Sequence, residues 1–301
     1  MTEGSVELSD DRRDEFHERA HRRLWVGGFA GVLVAILIGL YARVLPVWLE
    51  DLWTDPNYNH VYIVPIISSF VIWQRRAALT TLPVRGSWGG LPLLLAGIAA
   101  LIVGDVGAET FLMRSSLIVV IAGLILFHLG PAMLRALAFP LGFFLFLVPM
   151  PAVFFYAMTA RLQHIAAETG ASGLDLLGVP VLLDGNVIQL SRVTLGVTEA
   201  CSGIRSLITL VALGIAWAYL MLPRFWMQIA LVVSVVPITI AANAGRIVMT
   251  GLIGRWFGVE YAEGFFHFFG GWLVFIVALI CLLAIHAILR LVSPRQDWDT
   301  G

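Results

Sequence analysis

Between Leu24 and about Arg290 the chain returns repeatedly to apolar, nearly charge-free runs of the length that crosses a bilayer. A spanning helix needs roughly 20 predominantly apolar residues, with a range of about 17–25. On that measure spans are expected at 24–47, 60–74, 88–104, 112–129, 132–149, 201–221, 226–252 and 266–290. Of the 301 residues, 59% are apolar and 13% charged, against about 25% charged in an average soluble chain. A water-facing globule of this size cannot hide so much apolar surface, so lipid is the solvent the chain requires. That excludes a soluble cytosolic enzyme, a disordered chain, a disulfide-stapled secreted domain and a nucleic-acid binder. The expected fold class is an all-α polytopic membrane protein of about eight transmembrane helices.

The polar residues divide this frame. Residues 1–23 read as a cytoplasmic tail ending in Arg22 and Arg23, 24–291 as the transmembrane domain, and 292–301 as a second cytoplasmic tail. The run from Leu24 is longer than the apolar core of a signal peptide, about 7–15 residues, and no small-residue cleavage site follows. It is expected to stay as the first membrane helix. All 19 basic residues are Arg, which excludes any Lys-based Schiff base or general base. Placing both termini inside puts 12 of these Arg on the inner side and 7 on the outer, as the excess of positive charge in cytoplasmic loops requires.

The longest stretch between spans, 150–200, is expected outside the membrane. Pro151 to about Leu177 carries Arg161, His164, Glu168 and Asp175 among apolar residues, as an interfacial amphipathic helix would. The Val/Leu/Ile runs on either side of Asp184-Gly185-Asn186 read as a small β-hairpin. Such backbone must sit at the surface or against protein, because lipid cannot satisfy its polar groups.

The hairpin leads into Glu199-Ala200-Cys201-Ser202-Gly203-Ile204-Arg205. A helix is expected to start here with Thr198 or Glu199 as its cap. Cys201 then lies in the first turn, where the helix N-terminus favours a thiolate, and Arg205 shares its face four residues on. A buried structural thiol is the alternative. The next span carries Ala242-Asn243-Ala244-Gly245-Arg246 near its outer end. An Arg inside a span marks function by default, although snorkelling or pairing with a carboxylate explains some of them. Asn243 and Arg246, three apart, share a face. His267 is the one ionisable group in Gly264-Phe265-Phe266-His267-Phe268-Phe269-Gly270-Gly271, at the start of the last span.

Antiparallel packing puts the start of one span, the end of the next and the start of the third on one membrane face. Cys201, Arg246 and His267 then form a set sufficient for acyl transfer: a nucleophile, an oxyanion-stabilising cation and an acid/base. His60, in Trp53-Thr54-Asp55-Pro56-Asn57-Tyr58-Asn59-His60, falls on the same face and either lines the substrate site or anchors the interface. Cys281 lies 14 residues beyond His267, about 21 Å deeper along a helix, too far to bridge to Cys201. It reads as packing. With two Cys, no four-thiolate zinc site can form. No metal and no cofactor are expected.

At Glu199-Ala200-Cys201-Ser202-Gly203-Ile204-Arg205-Ser206-Leu207, at the ANAGR segment ending in Arg246 and at His267, the chain resembles the exosortase/archaeosortase family. WTDPNYNHVYIVPI followed by WQRR resembles the family's second-helix region, with Val61 where many members carry Gly. The resemblance implies a multi-spanning cysteine protease or transpeptidase. Its partners are exported proteins ending in a short motif, typically Pro-Glu-Pro, then a membrane helix and an Arg-rich tail, together with the lipid bilayer and no nucleic acid. It implies Cys201 as nucleophile, with Arg246 and His267 as its active-site partners. Arg205, Asn243, His60 and Glu199 take substrate-binding or supporting roles. Two other classes are compatible with the residues. A transporter or permease would use Arg246, His267 and Pro237 as a substrate path, and would keep its flux when Cys201 is replaced by Ser. A non-catalytic assembly factor for envelope export would have a Cys201 that thiol probes do not reach.

Overall fold

The computed structural model describes residues 31–292 apart from 59, 192, 200, 201 and 264. Of 56, 259, 263 and 265–271 the backbone path alone is described. The chain divides after Thr54 into two units. The first contains α1 (Gly31–Leu40) and α2 (Val44–Thr54), which meet at a 75° bend. The run expected as one span over 24–47 is therefore broken at residues 41–43.

In the second unit, a 3-10 turn (Pro56–Tyr58) leads to α3 (Ile63–Gln74) and the short α4 (Arg76–Thr81). Then come α5 (Gly90–Val106), α6 (Thr110–His128) and α7 (Pro131–Phe143). A 3-10 turn, Phe144–Leu147, ends α7, and the chain bends by 76° into α8 (Ala152–Leu176). Three strands follow: β1 (Val181–Asp184), β2 (Val187–Leu190) and β3 (Thr194–Gly196). The unit closes with α9 (Ile204–Met221), α10 (Phe225–Phe257), α11 (Val259–Glu263) and α12 (Phe265–Val292). Among the described residues, α6, α9, α10 and Trp272–Val292 of α12 are each long and apolar enough to cross a membrane, and the two bent pairs raise the number of candidate spans to six. The expected second and third spans are the shorter apolar helices α3 and α5. This is a multi-pass membrane protein.

The helices α5 and α6 form a hairpin whose contact is set by small residues. A Cβ on Gly97 would stand 2.7 Å from Val120 Cγ2 and 2.9 Å from the Val120 backbone N. Gly90 and Gly104 repeat this at seven-residue intervals, against Phe127 and Met113. With lipid outside, apolar burial does little to drive helix to helix, so close backbone approach takes over. Glu109 joins the two helices and caps α6, its Oε2 accepting from the Leu112 N–H at 2.7 Å.

The long helix α10 organises the rest. Its 33 residues make a rod of about 50 Å, well beyond the roughly 30 Å of a hydrocarbon core. Its first half packs with α9 and α12 around Leu207, Leu210, Met227, Leu231, Val235, Ala278 and Leu282. Its second half continues past the start of α9 and packs with α8 and the sheet around Ala166, Ala167, Leu174, Ile188, Val197 and Ile247. There α8 runs in the same direction as α10, Gly170 against Ile247 and Gly251 against Leu174. The helix expected between 151 and 177 is thus present and is held on α10. We call the end of the bundle where α9 starts the distal end. At the opposite end, Tyr219 of α9 stacks on Phe139 of α7, and the Arg75 guanidinium lies 5.2 Å from the Tyr219 ring.

The hairpin expected around Asp184-Gly185-Asn186 is β1–β2, with Asp184 opposite Val187 and Gly185 at φ +57° in the two-residue loop. A third antiparallel strand, β3, extends it, Ile188 opposite Leu195. Three residues between strands carry too weak an alternation to be read in advance. Replacing Gly97 with Val forces the α5–α6 backbones apart. We expect a loss of about 1–3 kcal/mol, seen as a lower thermal midpoint of the detergent-purified protein. Gly142→Ala, at a position with open space around it, is the neutral control.

Candidate functional site

The distal site is assembled from three pieces of chain: the turn before α3, the segment entering α9, and the middle of α10. The segment entering α9 locks itself. Ser202 is buried, its hydroxyl donates to the Glu199 carbonyl at 2.7 Å, and its Oγ accepts from the Ile204 N–H at 3.2 Å. Gly203 then takes φ +83° and caps α9, its carbonyl accepting from the Leu207 N–H. A left-handed backbone and a crowded neighbour both call for glycine here. A Cβ on Gly203 would lie 3.2 Å from Asn243 Cγ.

Two expectations change as a result. The helix starts at Ile204 with Gly203 as its cap, not at Thr198 or Glu199. Residues 202 and 203 are bends, so the four-residue helical relation expected between positions 201 and 205 does not apply. The reason is the left-handed Gly203, which no helix can include. Cys201 itself lies outside the described residues.

Against this segment stands the ANAGR turn of α10. Asn243 is 2% exposed and touches Gly203. Arg246, one turn on and half-buried, lies between the two apolar clusters of α10, Val235 belonging to one and Ile247 to the other. From Phe225 to Arg246 the helix rises 21 residues, about 32 Å, the thickness of a hydrocarbon core. The register therefore suits a cation at a membrane boundary. A groove of about 680 Å³ runs between α10 and α12, from Ser234 and Ile285 to Arg246, Thr250 and Leu273. Cys281 lines this groove and is exposed there rather than packed in the core. The backbone of His267 is in the first turn of α12, six residues or about 9 Å along the axis from Leu273. Its side chain lies outside the described residues.

The turn before α3 supplies a residue that the sequence pattern did not single out. Asn57 donates from Nδ2 to Glu199 Oε1 at 3.3 Å, and its Oδ1 accepts from Arg205 Nε at 2.6 Å. One amide thus joins a carboxylate and a guanidinium, the complementary use of its donor and acceptor ends. Asn57 is held in turn by Asp55, whose Oδ1 accepts the Asn57 N–H at 2.8 Å. Asp-Pro-Asn is a turn signal, which was the available clue, but the partners lie more than 140 positions away. So Glu199 and Arg205 are brought together, through Asn57.

His60 is 2% exposed, and its Nε2 stands 3.0 Å from the Phe146 carbonyl. His60 lines a second cavity, of about 360 Å³, beside α9. His164 is apart from all of this, pairing with Glu168 at 3.2 Å on an exposed face of α8. Among the described residues, no three His, Cys, Asp or Glu side chains are grouped to hold a metal ion.

Compared with known families, the chain matches the transmembrane exosortase family (EpsH type) over residues 48–284. Comparisons with curated proteins and with solved structures returned no match.

Asn57→Ala removes both side-chain bonds of the bridge. We expect a stability loss of about 2 kcal/mol and faster amide exchange over residues 202–207. Asn57→Asp keeps an acceptor for Arg205 but sets a carboxylate against Glu199, and should fall between the two.

Proposed function

Because the chain belongs to the transmembrane exosortase family, we propose that it is a membrane-embedded cysteine protease or transpeptidase acting on C-terminal sorting signals of exported proteins. One observation carries this reading: the segment bearing Cys201 enters α9 directly against the ANAGR turn of α10, with Gly203 on Asn243. Arg246 is three residues from Asn243, on the same face. This proximity supports a reading in which the nucleophile and a cation work in one locality.

In the proposed reaction the Cys201 thiolate attacks the scissile carbonyl, and the carbonyl π electrons move to oxygen. Arg246 stabilises that oxyanion, as fixed charge at a site of developing charge does. The C–N bond breaks as the oxyanion collapses, and His267 delivers the proton to the leaving amine. A thioester remains on Cys201. Water or an amine then attacks it, and the thiolate leaves. The Glu199–Asn57–Arg205 bridge holds the segment around Cys201 in place, and Asn243 supports it from α10. The sorting signal's membrane helix lies against the bundle, its motif at the distal end and its Arg-rich tail at the other. We place the protein in the bacterial inner membrane with both termini cytoplasmic and the distal end outside.

The test is cleavage, in cells, of a reporter ending in Pro-Glu-Pro, an apolar helix and an Arg cluster. Cys201→Ala should abolish the new C-terminus seen by mass spectrometry, and Cys281→Ser should leave it. Arg246→Ala should slow processing about 100-fold or more. Cleavage that survives Cys201→Ala refutes the proposal.

A further inference from the structure

Next to the cavity beside α9 lies a buried polar atom with no partner among the described residues. The cavity walls are apolar side chains of four helices and the bend before α8, among them Phe146, Met158, Leu207, Ile208 and Val211. At one end stand Asn57, Tyr58 and His60. His60 Nε2 bonds the Phe146 carbonyl. A carbonyl only accepts, so Nε2 carries the proton, and in the neutral ring Nδ1 is a bare acceptor. Nδ1 is buried and bonds to no other described residue. A buried acceptor left unpaired is destabilising, and native proteins rarely keep one without a use.

The chemistry of the missing partner follows. It must bring a hydrogen-bond donor into an apolar cavity within the bundle. Phospholipid chains and their ester links offer acceptors only, so they do not answer an acceptor. A peptide brings N–H groups. Within a membrane helix those groups are already bonded, except for the first four. The matching occupant is therefore the start of a helix, or the extended residues just before it, with apolar side chains. The position agrees. Leu207 lies in the first turn of α9, its N–H bonded to the Gly203 carbonyl, and Asn57, which braces Glu199 and Arg205, is part of the same wall.

We infer that this cavity binds the beginning of the substrate's membrane helix as an apolar peptide segment, with His60 Nδ1 accepting one of its unpaired backbone N–H groups. Seating it requires the imidazole to turn toward the cavity while Nε2 stays on Phe146. This rests on the proposed function and specifies how the same site selects its substrate. His60 is a binding residue here and takes no part in bond breaking.

The test uses full-length protein in nanodiscs, in a Cys201→Ala background, so that binding is read without turnover. The probe is a fluorescent peptide of Pro-Glu-Pro, an apolar helix and an Arg cluster. His60→Gln keeps a donor near the Nε2 position and loses the Nδ1 acceptor. His60→Asn restores an acceptor near Nδ1. We expect His60→Gln to weaken binding about 10-fold, the effect of one lost hydrogen bond, and His60→Asn to recover most of it. With Cys201 restored, the His60→Gln defect should appear in KM and leave kcat nearly unchanged. Equal affinity of all three proteins overturns the inference, and so does an equal loss in both variants. A lipid retained in the cavity and displaced by neither peptide nor variant also overturns it. Failure of the catalytic proposal is a separate result, since it is read from cleavage with Cys201 present.

Discussion

A backbone surrounded by hydrocarbon has no water to bond, so each N–H and C=O must find its partner inside the protein. Helices do this within their own segment, which is why every long apolar run among the described residues is helical. The irregular and extended segments are confined accordingly. The sheet and the non-helical entry to α9 pack on the distal half of α10 or beside it, where protein covers them. The fold depends on a helix longer than a hydrocarbon core is thick: the first part of α10 packs with α9 and α12, and the rest supports α8 and the sheet.

Glycine does two different kinds of work on this frame. Along α5 and α6 it removes side chains so that two backbones can touch in a solvent that does not press them together. At Gly203 it lets the chain turn left-handed and start a helix hard against Asn243. The first use builds a wall of the bundle. The second fixes where the segment containing Cys201 ends, and so the level at which α9 and the ANAGR turn meet.

The charged groups of the site are held by neutral ones. Asn57 sits between Glu199 and Arg205, using its amide in both directions. Asn243, nearly fully buried, meets the α9 cap one turn from Arg246. At a membrane boundary a bare ion pair would trade strong hydration for a single contact. An intervening amide satisfies both ions and positions them without bringing them together. His60 follows the same rule on one nitrogen, bonded to Phe146, and departs from it on the other.

Hydropathy alone determined the membrane class, the helical architecture and the approximate position of each apolar element, because lipid imposes one length and one composition on every span. The hairpin at Gly185 was legible from a two-residue turn, and the candidate residues Glu199, Arg205, Asn243 and Arg246 from polar groups that stand out in an apolar chain. Other features depended on tertiary structure. The break at 41–43 falls inside a run that reads as one span over 24–47. The start of α9 moved to Ile204 because Gly203 packs on Asn243, a contact across 40 positions. The bridging role of Asn57, and a His60 nitrogen that no described residue bonds, depend on which segments folding brings into range. Local pattern records what a residue prefers; hydrogen bonds between distant segments are settled by which helices end up as neighbours.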